Sequence, residues 1–330
     1  MGRGPTRKEF ATDQDVRWCP GCGDYAILAS VQTAFAKLGV PREKFVVVSG
    51  IGCSSRFPYY MNTYGFHTLH GRAPGVATGI KLTRPDLSVW VVTGDGDALA
   101  IGAGHLLHAL RRNVGIRILL FNNRIYGLTK GQASPTSETG KTTPSTPGGV
   151  ADRPFRPVAL ALAAGATFVA RSVDRFGAHL QEMIERAARH EGAALIEILQ
   201  NCNIFNDGAF AEVTGRAGRE ENVLYLEHGR PLRFGPDGSR GLALDGAGGL
   251  VEVDPGQAPG RVLVHDERAP DSAVPDLLAR LDAPVPLGVF RDVSAPALEQ
   301  VLRERREAAR RARDGGLAEL LAGPNAWTVP

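Results

Sequence analysis

The chain has 330 residues, is 43% hydrophobic and carries a net charge of only +3. Its apolar content can fill one large α/β domain or two smaller ones, and its charge is too small to argue for nucleic acid. No apolar run is long enough to span a bilayer. No apolar leader reads at the N-terminus, and four cysteines are too sparse for a secreted disulfide framework, so a cytoplasmic location without a membrane partner is expected.

In chain order, residues 1–16 are polar and read as an arm. Trp18-Cys19-Pro20-Gly21-Cys22-Gly23 follows. Asp24 to Leu38 then places Leu28, Val31, Phe35 and Leu38 on one helical face. Phe45 to Ser49 reads as a buried strand ending in Gly50-Ile51-Gly52-Cys53-Ser54-Ser55. Ser88 to Thr93 is a second strand, stopped by Gly94-Asp95-Gly96. Ala98 to Arg112 reads as a helix, weakened by Gly102 and Gly104. Ile116 to Phe121 is a third strand, ending at Asn122-Asn123. Ser134 to Gly149 has no apolar period and is expected to be a long loop that covers a site or meets a partner. Asp174 to His190 is a helix leading into a strand from Ala194 to Leu199, just before Cys202. Gly208 to Gly260 is glycine-rich, with short possible strands at Leu224 to Leu226 and Leu250 to Val253. Glu299 to Arg313 holds six arginines and three glutamates, a solvated helix face or, alternatively, a docking surface.

Two of these strand ends carry chemistry. The strands before Gly94 and Asn122 flank a helix, so they are parallel with a right-handed crossover and end on the same sheet edge. Open α/β sheets bind ligands there. Glycines let backbone approach a phosphate, and Asp95 and Asn123 offer the hard oxygens magnesium prefers while a diphosphate completes its shell. This arrangement points to thiamine diphosphate.

The cysteines form a second constellation. Cys53 and Cys202 follow strands and Cys19 and Cys22 form a close pair. Four thiolates can hold a structural zinc or an iron–sulfur cluster, or the pair can be inert and the others simply core residues. Spacing leaves these alternatives open.

From Trp18 to Gly131 the chain resembles the β subunit of a 2-oxoacid:ferredoxin oxidoreductase. The stretches that carry the likeness are Trp18 to Asp24, Gly50 to Arg56, His67-Thr68-Leu69-His70-Gly71-Arg72-Ala73 and Gly75 to Gly79. Gly94 to Asp97, Asn122-Asn123 and Tyr126 to Gln132 continue it in the family order. It extends less densely to about Phe210. The resemblance implies an α/β fold with a doubly wound, mostly parallel sheet of the thiamine diphosphate-binding type. Residues 1–210 form that domain, and 211–330 form an irregular C-terminal extension packing on it. It implies magnesium on Asp95, Asn123 and the Ile125 carbonyl. The thiamine contacts are Ile51, Gly52, Cys53, Ser54, His70, Gly96, Asp97, Gly127 and Leu128. A 4Fe–4S cluster falls on Cys19, Cys22, Cys53 and Cys202. Lys130 faces the substrate, where residue type alone suggests a solvated loop lysine. His67 stands behind His70, and Arg72 pairs with a phosphate, a partner carboxylate or a surface acid.

The implied reaction is coenzyme A-dependent oxidative decarboxylation of a 2-oxoacid. Thiamine diphosphate is the electron sink, and electrons pass through the cluster to ferredoxin. The glutamate that activates the aminopyrimidine is not found in this single sheet domain, so an α subunit is expected to complete the site. 2-Oxoglutarate is favoured by analogy, because pyruvate enzymes are more often fused chains. Pyruvate or a branched-chain 2-oxoacid is the alternative substrate. A non-oxidative thiamine decarboxylase with a structural zinc is the alternative enzyme.

Overall fold

The central strands are continuous apolar runs, and such runs stay in a sheet only when both faces are covered. The computed structural model describes residues 5–312, 316–324, 327 and 329. Residues 1–4 of the expected arm, and Arg313 of the arginine-rich stretch, lie outside the described residues. The strands are β1 (Phe45–Ser49), β2 (Tyr64–His67), β3 (Ser88–Gly94), β4 (Ile116–Asn122), β5 (Phe168–Val173) and β6 (Ala194–Leu199). β7 (Val223–Leu226), β8 (Arg233–Phe234), β9 (Arg240–Leu244), β10 (Leu250–Val253) and β11 (Val285–Asp292) follow. Eight form one sheet in the order β2-β1-β3-β4-β6-β5-β11-β7, and β10-β9-β8 form a small antiparallel sheet. The large sheet is parallel except where β11 meets β5. β7 and β11, from the segment past residue 210, thus extend the same sheet that β1 begins.

Alternate strand residues feed two layers. Val46, Val48, Val89, Val91, Ile118 and Leu120 point to one side, packed with α2 (Ala73–Thr83), α4 (Ala103–Arg111) and α5 (Pro157–Ala163). Phe45, Val47, Trp90, Val92, Leu119 and Phe121 point to the other, under α1 (Asp24–Lys37) and α6 (Gly177–Arg189). Phe10, in the expected arm, is fully buried and packs edge-on against Phe35 and Phe45 at 5.9 and 5.6 Å. The segment around it is therefore anchored.

The expected helix from Ala98 to Arg112 is in fact two, α3 (Asp95–Leu99) and α4. The backbones of Gly71 and Gly102 press together between them, where a Cβ on Gly71 would lie 2.5 Å from the Gly102 nitrogen. Among the described residues no helix is long and apolar enough to cross a membrane.

After β1 the chain turns outward to β2. After β3 it winds the other way to β4. The carboxyl ends of β1 and β3 therefore flank a topological switch point, the crevice where doubly wound sheets take ligands.

Candidate active site

A cavity of about 550 Å³ opens at that crevice. It is lined by the loops after β1 (Ile51 to Ser54), β3 (Gly94 to Asp97) and β4 (Asn123, Ile125 to Thr129), with His70, Asp24 and Gln200 completing the wall. All the residues expected to contact thiamine or magnesium line it. Lys130 does not: it is exposed, in a left-handed turn (φ 76°) between the lining residues Thr129 and Gln132. Arg72 reaches His105, and His67 Nδ1 lies 2.9 Å from the Ser55 carbonyl, so neither meets the cavity.

The two acids of Gly94-Asp95-Gly96-Asp97 have different surroundings. Asp97 is buried, and its Oδ1 accepts from the Ile51 and Gly71 N–H groups (3.1 and 2.7 Å) and lies 2.6 Å from His70 Nδ1. Its Oδ2 accepts from the Thr93 hydroxyl at 2.7 Å. One carboxylate therefore ties the β1 loop, the His70 turn and the end of β3 together. Asp95, also buried, accepts on Oδ2 from the Ser134 and Thr136 hydroxyls at 2.5 and 2.6 Å. Burial pushes its carboxyl above the usual range, opposed by those hydroxyls. A nearby cation relieves such a penalty.

Of the asparagine pair, Asn122 is buried and donates to Glu197 (2.7 Å), while Asn123 faces the cavity and donates to Gln200 (2.8 Å). The Asn123 side-chain oxygen accepts from the Ile125 N–H at 3.1 Å, holding the turn that brings Ile125 to the same cavity. Gly96 leaves room for Tyr126. An added Cβ would stand 2.2 Å from its ring, and the Tyr126 hydroxyl donates to the Gly96 carbonyl at 3.0 Å.

Of the cysteines, Cys53 lines this cavity. A Cβ on Gly127 would lie 3.5 Å from the Cys202 sulfur and 3.6 Å from that of Cys53. The Cys22 sulfur accepts from Gln200, a lining residue, at 3.4 Å, and the Cys22 N–H donates to the Cys19 carbonyl at 3.1 Å. Burial pushes the Cys22 thiol up and that of Cys53 up to about 12, with Asp24 adding to both. All four are free, and Trp18 pins the Cys53 loop through its indole N–H on the Cys53 carbonyl at 2.7 Å. Among the described residues no three metal-ligating side chains are drawn around one point as a single-ion site.

The residue types and motifs did not single out Ser134, Thr136, Tyr126, Gln200 or the Asp24 carboxylate as parts of the site. Asp24 is the least expected. It is 1% exposed, and burial, opposed by the neighbouring Cys22 and reinforced by Asp174, raises it to about 7. The run Ser134-Pro135-Thr136-Ser137 held the one usable signal, clustered hydroxyls, but it read as a cover. The structure folds it beneath Asp95.

A doubly wound sheet with a buried acid between glycines at its switch point defines the class of thiamine diphosphate-binding domains. Residues 50–198 match the family model described as the C-terminal TPP binding domain of thiamine pyrophosphate enzymes. The chain is 54% identical to the 2-oxoglutarate oxidoreductase subunit KorB of Mycobacterium tuberculosis, over 98% of this chain and 88% of that one. It is 50% identical to subunit beta of a 2-oxoacid:ferredoxin oxidoreductase from Aeropyrum pernix, over 59% of this chain and 61% of the relative. The solved 2-oxoglutarate:ferredoxin oxidoreductase of Magnetococcus marinus, with 2-oxoglutarate, coenzyme A and succinyl-CoA bound, superposes with a TM-score of 0.78. That match has 35% identity and covers 97% of both chains. The chain belongs to the β subunits of the 2-oxoacid:ferredoxin oxidoreductases.

Proposed function

We propose that this chain is the β subunit of a cytoplasmic 2-oxoglutarate:ferredoxin oxidoreductase, converting 2-oxoglutarate and coenzyme A to an acyl-CoA and CO2 together with an α subunit. The carrying observation is the placement of free Cys53, with free Cys202 beside it, on the cavity that also holds Asp95 and Asn123. The relatives named for 2-oxoglutarate, and the neighbour solved with it, support the substrate.

The residues fit the groups the reaction needs. Asp95, Asn123 and the Ile125 carbonyl are hard oxygen donors on one cavity wall, suited to magnesium. Cys19, Cys22, Cys53 and Cys202 are thiol donors suited to a 4Fe–4S cluster, whose bulk sets its ligands farther apart than a single ion does. Thiamine diphosphate, when bound, supplies the electron sink for decarboxylation.

The chain's own residues then have distinct tasks. Ile51, Gly52 and Ser54 present backbone and a hydroxyl along one side of the cofactor, with Gly96, Gly127 and Leu128 along the other. Asp97 acts by fixing the first set and by orienting His70, whose second ring nitrogen is left for a diphosphate oxygen. Cys53 belongs to both the cofactor loop and the cysteine group, which keeps the electron path to ferredoxin short. Lys130, at the rim, meets the substrate carboxylate once the α subunit closes over it. Residues 1–210 carry this machinery, and 211–330 brace it.

Anaerobic purification with the α subunit tests this reading. A brown, iron- and sulfide-containing complex whose visible absorption is bleached by 2-oxoglutarate plus coenzyme A is expected. A colourless, zinc-loaded protein overturns the cluster, and faster bleaching by pyruvate or a branched-chain 2-oxoacid overturns the substrate.

A further inference from the structure

We infer that Thr136 is a positioning residue for the metal–diphosphate site, its hydroxyl holding the Asp95 carboxylate from a buried polar cluster that reaches back to the Arg171–Glu197 ion pair. The inference rests on the reading of Asp95 as a magnesium ligand.

The cluster begins in β5 and β6, where Arg171 and Glu197 face each other across the parallel pair. Their side chains are 8% and 2% exposed, and Arg171 Nε donates to Glu197 Oε2 at 2.6 Å. The other oxygen, Oε1, accepts from Asn122 Nδ2 at 2.7 Å. Glu197 can only accept, so it dictates which way the Asn122 amide points. The amide oxygen is thereby presented to Thr136 Oγ1, 2.9 Å away. The same hydroxyl lies 2.6 Å from Asp95 Oδ2, and its single proton goes to that nearer, anionic oxygen. Ser134 reaches that oxygen too, at 2.5 Å. Two hydroxyls on Oδ2 fix the plane of the carboxylate, and with it the direction in which Oδ1 is offered to a cation. Asn122, Thr136, Ser134 and Asp95 are all buried, so water does not substitute for a lost partner. Arg171 also approaches the Pro286 carbonyl of β11 at 3.4 Å, which links the C-terminal segment to the cofactor site.

The test uses the full chain co-purified with its α partner and stripped of thiamine diphosphate and magnesium. Thr136→Val keeps the shape and removes the hydroxyl, and Thr136→Ser restores it. Loss of one hydrogen bond to a charged acceptor predicts an apparent magnesium affinity about 10- to 100-fold weaker in Thr136→Val, read by thiamine diphosphate-dependent fluorescence quenching against magnesium. KM for the cofactor should rise more than kcat falls. The melting temperature without cofactor should fall only by what the one lost bond contributes, and Thr136→Ser should recover it together with most of the affinity. Asp95→Ala is the control. If it binds thiamine diphosphate like the parent, the metal reading fails. If it loses binding while Thr136→Val keeps the parent magnesium affinity, the positioning role alone is overturned. A drop in Thr136→Val that Thr136→Ser does not rescue also overturns it.

Discussion

Replacing Asp97 by alanine should damage the fold more than the cofactor chemistry. Its carboxylate serves four donors from three segments: the Ile51 and Gly71 N–H groups, the His70 ring and the Thr93 hydroxyl. The Gly71 and Thr93 contacts are fully buried, whereas Ile51 and His70 are partly open and can rehydrate. Stranding a buried donor costs about 1–3 kcal/mol, so the two buried ones set a loss of about 2–6 kcal/mol. That is a large share of a total stability of about 5–15 kcal/mol. Asp97→Asn keeps an oxygen for the three nitrogen donors and turns an amide N–H toward Thr93, so only that hydroxyl's proton loses its acceptor. Its expected loss is about 1–3 kcal/mol. Urea unfolding of parent, Asn and Ala forms, all without cofactor, measures the series. A loss below about 1 kcal/mol for Asp97→Ala, or an Ala form no worse than the Asn form, would refute the claim that this carboxylate organises the loops.

Three further outcomes are expected. Gly50→Ala puts a Cβ 1.8 Å from Asp97 Oδ2, so it should melt far below the parent. The penalty should shrink in an Asp97→Ala background, and additive penalties in a double-mutant cycle would show that the clash is elsewhere. Burial, with Arg219 adding, lowers the His179 imidazole from 6.5 to about 4. The unfolded chain then takes up the proton first as pH falls, so stability is full above about pH 6.5 and declines toward pH 4 by at most about 3 kcal/mol. His179→Gln should flatten that slope, measured by denaturation at several pH values, and an unchanged slope would assign the effect to another group. Cys202→Ser should leave thiamine diphosphate binding largely intact but make the iron labile; an unchanged iron content removes Cys202 from the ligand set.

The strands read most sharply from sequence were those buried on both faces, while the short possible strands at Leu224 to Leu226 and Leu250 to Val253 correspond to β7 and the partly exposed β10. β1, β3, β4 and β6 are near-continuous apolar runs with sharp ends, and their expected bounds lie within a residue of the observed ones. The strands that escaped notice break the pattern for identifiable reasons. β2 is an edge strand exposed at all four positions, so nothing imposes an apolar period on Tyr64 to His67. β5 carries Arg171 in its middle, tolerated because Glu197 stands opposite on β6. β11 contains Pro286 and Gly288, which read as loop until the sheet is seen around them.

The site was legible to the extent that its parts sit at strand ends. Gly94-Asp95-Gly96, Asn123 and Cys53 could be placed on one edge because a parallel crossover leaves no other arrangement. The sequence reading put Asp95 on magnesium and Asp97 among the thiamine contacts, but it could not give the physical reason the two differ. Both are acids beside glycine in one short motif, and both are buried. They differ only in what reaches them across the fold: backbone N–H groups from two other loops for Asp97, side-chain hydroxyls from a segment about 40 residues later for Asp95. Backbone donors cannot leave without unfolding a turn, so Asp97 is committed to scaffold. Hydroxyls are small and can rotate, so Asp95 keeps the freedom to exchange or share partners with a cation. In the proposed site Asp95 is therefore the ligand and Asp97 its frame, a distinction created by tertiary contacts.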